Sequence, residues 1–572
     1  MDSNFAIAFT IDPPASTDYL FSSINSGGDN ALLATLADHF DGGLGTLTWA
    51  IRGDSANNDY NSVESTTDLT DGGPYRVVLN KTGNTASDME IWVNQQNDSS
   101  VVNTDTLDET SVADFNEPVA LFASNNGGVV ENHIDTMLDD ICVFGDSLSR
   151  DEIESYANPW GDYFATTGES QPTHDAIGPA SVYDPDTNQT HVIYQGANLD
   201  PTAATYDHGT ETWTEPRVVA SNPLSTDDHG APSITRTSDG TLHVFYGSHD
   251  SGQEYARSDN PSDTSNWTVQ PSIGTDETYP APVVVNDDIY LITRDRPGGD
   301  YRTRLWKSTD GGDSWSVTTL AVFNQTSNEE RIYHYRPTLH NGFIHYAFLY
   351  HNGDTTDGQE TATRYNVYHA KIDTSDDSLQ TQDGAVLSTP IDKPTADSEL
   401  LVVDSESANE ETNNIAMDVD GNGNPHFIYN RFESSDETWH LDYVRWDGTG
   451  WTTPTRIVQL GAGAATDTTQ TKFARSDLRV TSASDITAWV PITVSGSRGG
   501  DVTEWHYDGS SWSQQSTILS SSEASRPVGN CVRTMPDGDS EIEVLFSEID
   551  EGDYDNSDLA VYAYGGNGIV KD

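Results

Sequence analysis

Residues 231–246 read APSITRTSDGTLHVFY. A proline opens a short apolar run, Ser-Asp-Gly supplies a tight turn, and an aromatic-rich run returns, which is a hairpin of two strands. The same unit opens at GPASVYD (178–184), APVVVND (281–287), RPTLHNG (336–342), NIAMDVD (414–420), SDLRVTS (476–482) and RPVGNCV (526–532). Pro179 to Pro232 spans 53 residues, Pro232 to Pro282 spans 50, and Pro282 to Pro337 spans 55. Trp213, Trp267, Trp315, Trp451 and Trp512 mark the ends of five units. Seven units over about 400 residues, each long enough for four strands, predict a seven-bladed β-propeller over residues 172–572.

Upstream, residues 1–160 alternate apolar and polar residues in short runs such as FAIAFTID, TLTWAIRG, YRVVLNKTG and MEIWVNQQ. Period-two runs separated by Asp, Asn, Ser and Gly predict an antiparallel β-sandwich. Its last stretch, MLDDICVFGDSLSRDEIESYAN, adds a short helix capped by Ser147. This ending resembles the laminin-G-like, concanavalin-type jelly roll. That fold has further strands before its FTID-like strand, so a truncated start is expected. Residues 161–171, within the Pro-, Gly- and Ser-bearing NPWGDYFATTGESQP, form a linker. The expected fold class is therefore all-β, a sandwich followed by a propeller.

Charge narrows the function classes. The 572 residues carry 27 Lys and Arg against 92 Asp and Glu, a net −65. Such a surface repels nucleic acid and anionic membrane. Aromatic residues recurring among alternating apolar ones argue against disorder, so the acid is a solvated shell, as expected of a protein adapted to molar salt. The chain shows no apolar run of about 18 residues and no basic-then-apolar start. An extracellular or surface location in a high-salt environment, on a cell or a virion, then requires an address that this sequence does not display. Cys142 and Cys531 lie in different predicted domains, so no disulfide is expected.

In a propeller, the start of each blade's first strand and the end of its second lie at one rim of the channel. Blade two places His229 and His249 in these positions, blade three Tyr279 and Arg294, blade four Tyr335 and His351, and blade five Asn414 and Arg431. Blade one offers only Ile177 and Gln195 there. A single histidine at a strand end is ordinarily a satisfied surface group. Six His, Tyr and Arg residues in equivalent slots of three adjacent blades predict a site. Residues 281–370 hold eight bases and eleven acids, a net −3, so the acidic shell is relaxed where Arg294, Arg302, Arg304, Arg331 and Arg336 cluster. That fits a cleft admitting an anion. No H-E-x-x-H or paired Cys suggests a catalytic metal. Asp418–Asn424, DVDGNGN, imitates a calcium loop without its distal Glu and falls where a hairpin turn is due, leaving room only for a structural calcium.

The pairing of DDHGAPSI with LHVFYGSH, TYPAPVVV with LITR, and YHYRPTL with YAFLYH resembles the BNR-repeat polysaccharide lyases, in particular the seven-bladed ulvan lyases. Ser308–Trp315, STDGGDSW, is similar in form to the Asp-box, a structural hairpin of sialidase-like propellers. The resemblance implies β-elimination at a uronate of a sulfated polysaccharide. By position it assigns His229, His249, Tyr279 and Arg294 to catalysis, with Tyr335 and His351 as further substrate contacts; Arg336, Asn414 and Arg431 join the expected contacts from their residue types and places at the rim. It implies no metal or organic cofactor. The residue types suit that chemistry, since imidazoles transfer protons near neutrality and a guanidinium neutralises a carboxylate. Two other readings are a noncatalytic glycan-binding or adhesion protein and, less well matched, a sialidase-like glycosidase, which needs an Arg triad, a Tyr/Glu pair and a carboxylic acid.

Overall fold

In the computed structural model, the described residues are the strands of the first 144 positions and then 163–173, 178–297, 300–323, 330–352, 363–408, 410–433, 438–462, 475–493, 500–520, 528–533, 542–550, 559–566 and 568–570. Two compact units divide between Gly161 and Asp162. In the first unit, Phe5–Ile11 pairs on one side with Leu138–Phe144 and on the other with Tyr75–Lys81, within a five-stranded antiparallel sheet. A six-stranded antiparallel sheet contains Thr46–Arg52 and Tyr60–Asp68. Leu47, Thr48, Trp49 and Val63 are buried in one sheet and Val77, Val78, Leu79, Ile91, Trp92 and Val93 in the other, so consecutive positions are covered and not alternate ones alone. The expected helix after Ser147 and the linker's first residues lie outside the described residues, as does the side chain of Cys142.

The second unit is a ring of seven antiparallel blades. Blade one holds Ser181–Asp184, Gln189–Gln195 and Pro201–Asp207, with short outer strands. Blades two and three share one long strand, Trp267–Val285, which is outermost in blade two and innermost in blade three. Blade four is built on Phe343–Asn352 and Thr363–Asp373, and blade five on Thr412–Val419 through Thr455–Ala462. Blade six runs from Asp477–Ser482 to Trp512–Leu519. Blade seven takes its fourth strand, Ala165–Gly168, from the start of the unit, so chain ends close the ring. The closure is packed as well as hydrogen-bonded: Phe164 stacks on Trp213 of blade one at 4.1 Å, and Thr173 meets Ser547 of blade seven at 2.9 Å.

Apolar residues from facing blades fill the spaces between them, for example Val182, Ile193, Ile234, Val244 and Tyr246 between blades one and two. The Asp-box hairpin joins the outer strands of blade three. Ser308 Oγ accepts from Gly312 N and Asp310 Oδ1 from Ser314 N, while Trp315 packs edge-on against Phe245 and Tyr255 of blade two. Gly312 has φ +89°, and a Cβ there would meet the Tyr255 hydroxyl at 2.1 Å, so only glycine fits. The calcium-like loop is the hairpin turn between the first two strands of blade five. Asp420 accepts from the turn's own Asn422 and Asn424 N–H groups, and Asp418 from Val480 N. Among the described residues, the α-helix Lys393–Glu399 is an element the repeat pattern did not signal. It is capped by Asp392 and packs within blade four's outer region.

Candidate active site

The loop before blade two's first strand is a single 3₁₀ turn, Asp228–Gly230, capped by Asp227, whose carboxylate accepts from His229 N. Asp228 is buried and accepts from Ser170 Oγ and Gln171 Nε2, which anchors the turn to the segment that closes the ring. Gly247 N donates to Gly230 O at 2.9 Å, and a Cβ on Gly230 would lie 3.0 Å from Gly247 Cα. This close backbone approach is why glycine precedes one strand and follows the other. It sets the His229 and His249 rings face to face, with centroids 3.9 Å apart and planes 13° from parallel. One carboxylate joins them: Asp227 Oδ1 lies 2.5 Å from His229 Nδ1, and Oδ2 lies 2.6 Å from His249 Nδ1. Burial pushes the Asp227 carboxyl up, but bonds from both histidines outweigh that and hold it well below the usual carboxylate range. Asp227 is therefore ionised and accepts from both Nδ1 atoms.

Tyr279 and Arg294 come from blade three. The ladder between their strands slips between Thr278 and Ala281, and within this bulge Tyr279 adopts φ +60°. A tyrosine in the left-handed region is uncommon and held by its surroundings. Here the hold is Ser233 Oγ on the Pro280 carbonyl at 2.7 Å and His334 Nε2 on the Tyr279 carbonyl at 2.9 Å, from blades two and four. The bulge turns the Tyr279 ring to 5.9 Å from His229. Arg294 lies beneath, its guanidinium 4.8 Å from the Tyr279 ring, 4.9 Å from Tyr333 and 5.2 Å from Tyr301. Its side chain is 3% exposed, with Asp250 at 3.7 Å. The charge thus acts from under the aromatic floor, not through an exposed fork.

Tyr333 was not anticipated. Its ring lies 5.9 Å from Tyr279 and 5.5 Å from His351, with the Arg364 guanidinium 4.4 Å away. Burial raises its phenol, but Arg294, Arg364 and Arg331 overcome this and bring it down to about 8. Asp250 was also missed; it bridges toward Arg294 and Arg296. His229, His249, Tyr279, Arg294, Tyr333 and His351 thus form a continuous chain of contacts across blades two to four.

The remaining expected contacts sit differently. Tyr335 is buried just past the end of the strand Glu330–His334, with Arg475 at 6.0 Å from its ring. Arg336 is buried against Asp477 at 2.6 Å, a link from blade four to blade six. Arg431 is held by Asp442 and Glu410, and beside it lies a separate depression of about 360 Å³ bordered by Ser405, Tyr429 and Pro454. Asn414 adopts φ +44° in blade five, next to Asn413, which accepts from Arg364. Arg304 is engaged by Asp295 and Glu277, and Arg302 lies 4.0 Å from Asp300. In blade one, Gln195 Nε2 donates to Gln171 O, and Ile177 lies outside the described residues.

Among the described residues, Asp227, His229 and His249 are also the one trio of His, Cys, Asp and Glu whose ligand atoms lie within 4.8 Å of one another. As they stand, the three form a carboxylate-bridged imidazole pair.

Fold and site together define a seven-bladed β-propeller in which His, Tyr and Arg side chains of blades two to four come together. Residues 189–457 match the family described as BNR repeat-containing family member. Among proteins of known function, the chain is 26% identical over 451 residues to an ulvan lyase of Alteromonas sp. (strain LOR), covering 72% of this chain and 87% of that one. It is 27% identical over 476 residues to an ulvan lyase of Nonlabens ulvanivorans, covering 75% and 95%. A solved ulvan lyase, bound to a -[GlcA(1-4)Rha3S]- segment, superposes with a TM-score of 0.62 at 21% identity, over 72% of this chain and 97% of that one.

Proposed function

We propose that the protein is a polysaccharide lyase that cleaves an ulvan-like polysaccharide, sulfated and uronate-containing, by β-elimination. The observation that carries this reading is the His229–Asp227–His249 bridge beside Tyr279, above the buried charge of Arg294. Elimination needs a base for the proton next to the uronate carboxylate, an acid for the departing glycosidic oxygen, and positive charge where the carbanion develops. His229 and His249 divide the proton transfers with Tyr279 assisting, and Arg294 supplies the charge from beneath the ring floor. Tyr333 and His351 back the cluster from blade four as buried neighbours. The chemistry calls for no metal or organic cofactor.

A glycosidase fits less well, because its acid–base is a carboxylic acid, whereas the groups joined across the bridge beside Tyr279 are imidazoles. A purely adhesive role does not account for a strained tyrosine packed over a buried guanidinium beside paired imidazoles. Residues 1–160 act as an auxiliary glycan- or protein-binding unit, and the acidic surface suits work outside a cell at high salt. Incubation with ulvan at molar salt should raise ultraviolet absorbance as unsaturated uronate accumulates. New reducing ends without that absorbance would indicate hydrolysis, and neither signal would indicate binding alone.

A further inference from the structure

We infer that Asp227 is the positioning residue that makes the two histidines an acid–base pair, holding both rings by Nδ1 so that proton transfer falls to their Nε2 atoms. This rests on the lyase reading for its consequence, but the bridge itself stands on geometry. An ionised carboxylate only accepts hydrogen bonds, so each Nδ1 at 2.5 and 2.6 Å must donate. With both Nδ1–H groups fixed, proton transfer to and from the pair takes place at the Nε2 atoms. Two positive rings stacked at 3.9 Å repel each other and one carboxylate offsets one of them, so one imidazolium beside one neutral imidazole is the charge-balanced arrangement, and it holds one acid and one base.

The groups around the trio do not supply an alternative. On its own turn, Asp228 is occupied by Ser170 and Gln171. From the His249 loop, Asp250 faces Arg294 and Arg296. From blade three, Tyr279 lies against His229 and Arg294 lies beneath Tyr279. From blade four, Tyr333 lies against Tyr279. Arg294 and Arg296 oppose an imidazolium, which leaves Asp227 as the carboxylate in direct contact with both rings.

The proton balance closes. The neutral imidazole takes the proton beside the uronate carboxylate at Nε2. The C–H electron pair becomes the new C=C bond as the neighbouring C–O bond breaks, and the departing oxygen receives the Nε2 proton of the imidazolium. One proton enters the pair and one leaves. The two rings have exchanged states, and a water-mediated transfer between the Nε2 atoms restores them.

The test is nuclear magnetic resonance of the ring Nδ1–H signals at high salt, with His229 and His249 assigned by the signals lost in H229Q and H249Q, read beside kinetics on ulvan. The parent should show both Nδ1–H signals shifted downfield by the short bonds to one carboxylate. Asp227→Asn should lose them and lower kcat about 10- to 100-fold with KM little changed, and Asp227→Glu, which keeps a carboxylate, should recover much of the rate. A parent without the two signals, or an Asp227→Asn variant with parent-like kcat, overturns the inference. The parent signals and Asp227→Glu decide the matter even if Asp227→Asn does not fold. If both signals are present while the parent forms no unsaturated product, the lyase reading fails and the bridge stands.

Discussion

His334 of blade four donates its Nε2–H to the main-chain carbonyl of Tyr279 in blade three at 2.9 Å, and this bond fixes the one tyrosine of the site whose φ is positive. Burial pushes the His334 imidazole down to about 3, so it remains a neutral donor throughout the working range.

Replacing His334 by Ala leaves that carbonyl unpaired in the core, at a cost of about 1–3 kcal/mol. It also frees the Tyr279 bulge, so kcat should fall roughly 10- to 100-fold through misplacement. His334→Gln keeps a donor and should recover much of the rate. Melting temperature and kcat measured together check this; a melting loss with unchanged kcat would make His334 structural only.

Tyr333 should ionise far more readily than an ordinary phenol. Difference absorbance in the ultraviolet should show one tyrosine titrating at about 8, absent in Tyr333→Phe. Arg364→Gln removes a guanidinium 4.4 Å from the ring and should move that step upward. A step that stays in place would contradict the electrostatic account.

Acid should destabilise the propeller before its exposed carboxylates titrate. Burial pushes His191, His243 and His426 to about 4, His334 and His345 to about 3, and His369 well down. The unfolded chain binds those six protons near 6.5, so their stabilisation is complete above that value and is lost as pH falls toward 4. Four acids oppose this: burial lifts Glu277 to about 7 and Asp295 to about 6 and also raises Asp200 and Glu330, which favours the folded state as pH falls. Six against four leaves the histidines dominant. Melting temperature at fixed molar salt should drop between pH 7 and pH 5; a rise over that interval would contradict the burial pattern.

With a net −65, lowering the salt from 1 M to 0.1 M lengthens screening from about 3 to about 10 Å and releases repulsion across the acidic shell. The melting temperature should fall steeply. An unchanged value would remove the case for adaptation to high salt.

The blades were legible because proline, turn and aromatic residues recur at each first hairpin, and strand alternation fixes which end faces the rim. The same rule located His229, His249, Tyr279 and Arg294. It failed at Tyr333 because Pro337 was taken as the strand's opening, whereas pairing with Phe343–Asn352 already begins at Glu330. Arg364 lies on a third strand, outside a filter built on the first two. Asp227 was invisible among 92 acids, although its position two residues before His229 was the available signal. Arg336 and Arg431 were expected at the substrate from residue type and rim position alone. Their carboxylate partners come from segments distant in sequence, which no local pattern discloses.

The most direct measurement is the ultraviolet absorbance of unsaturated uronate released from ulvan at molar salt by the parent, His229→Asn and His249→Ala, each first shown folded by circular dichroism. The account predicts steady product formation by the parent and a loss of roughly 10² to 10⁴ in turnover for each variant. Parent-like rates in both variants, on a polymer the parent cleaves, would contradict it.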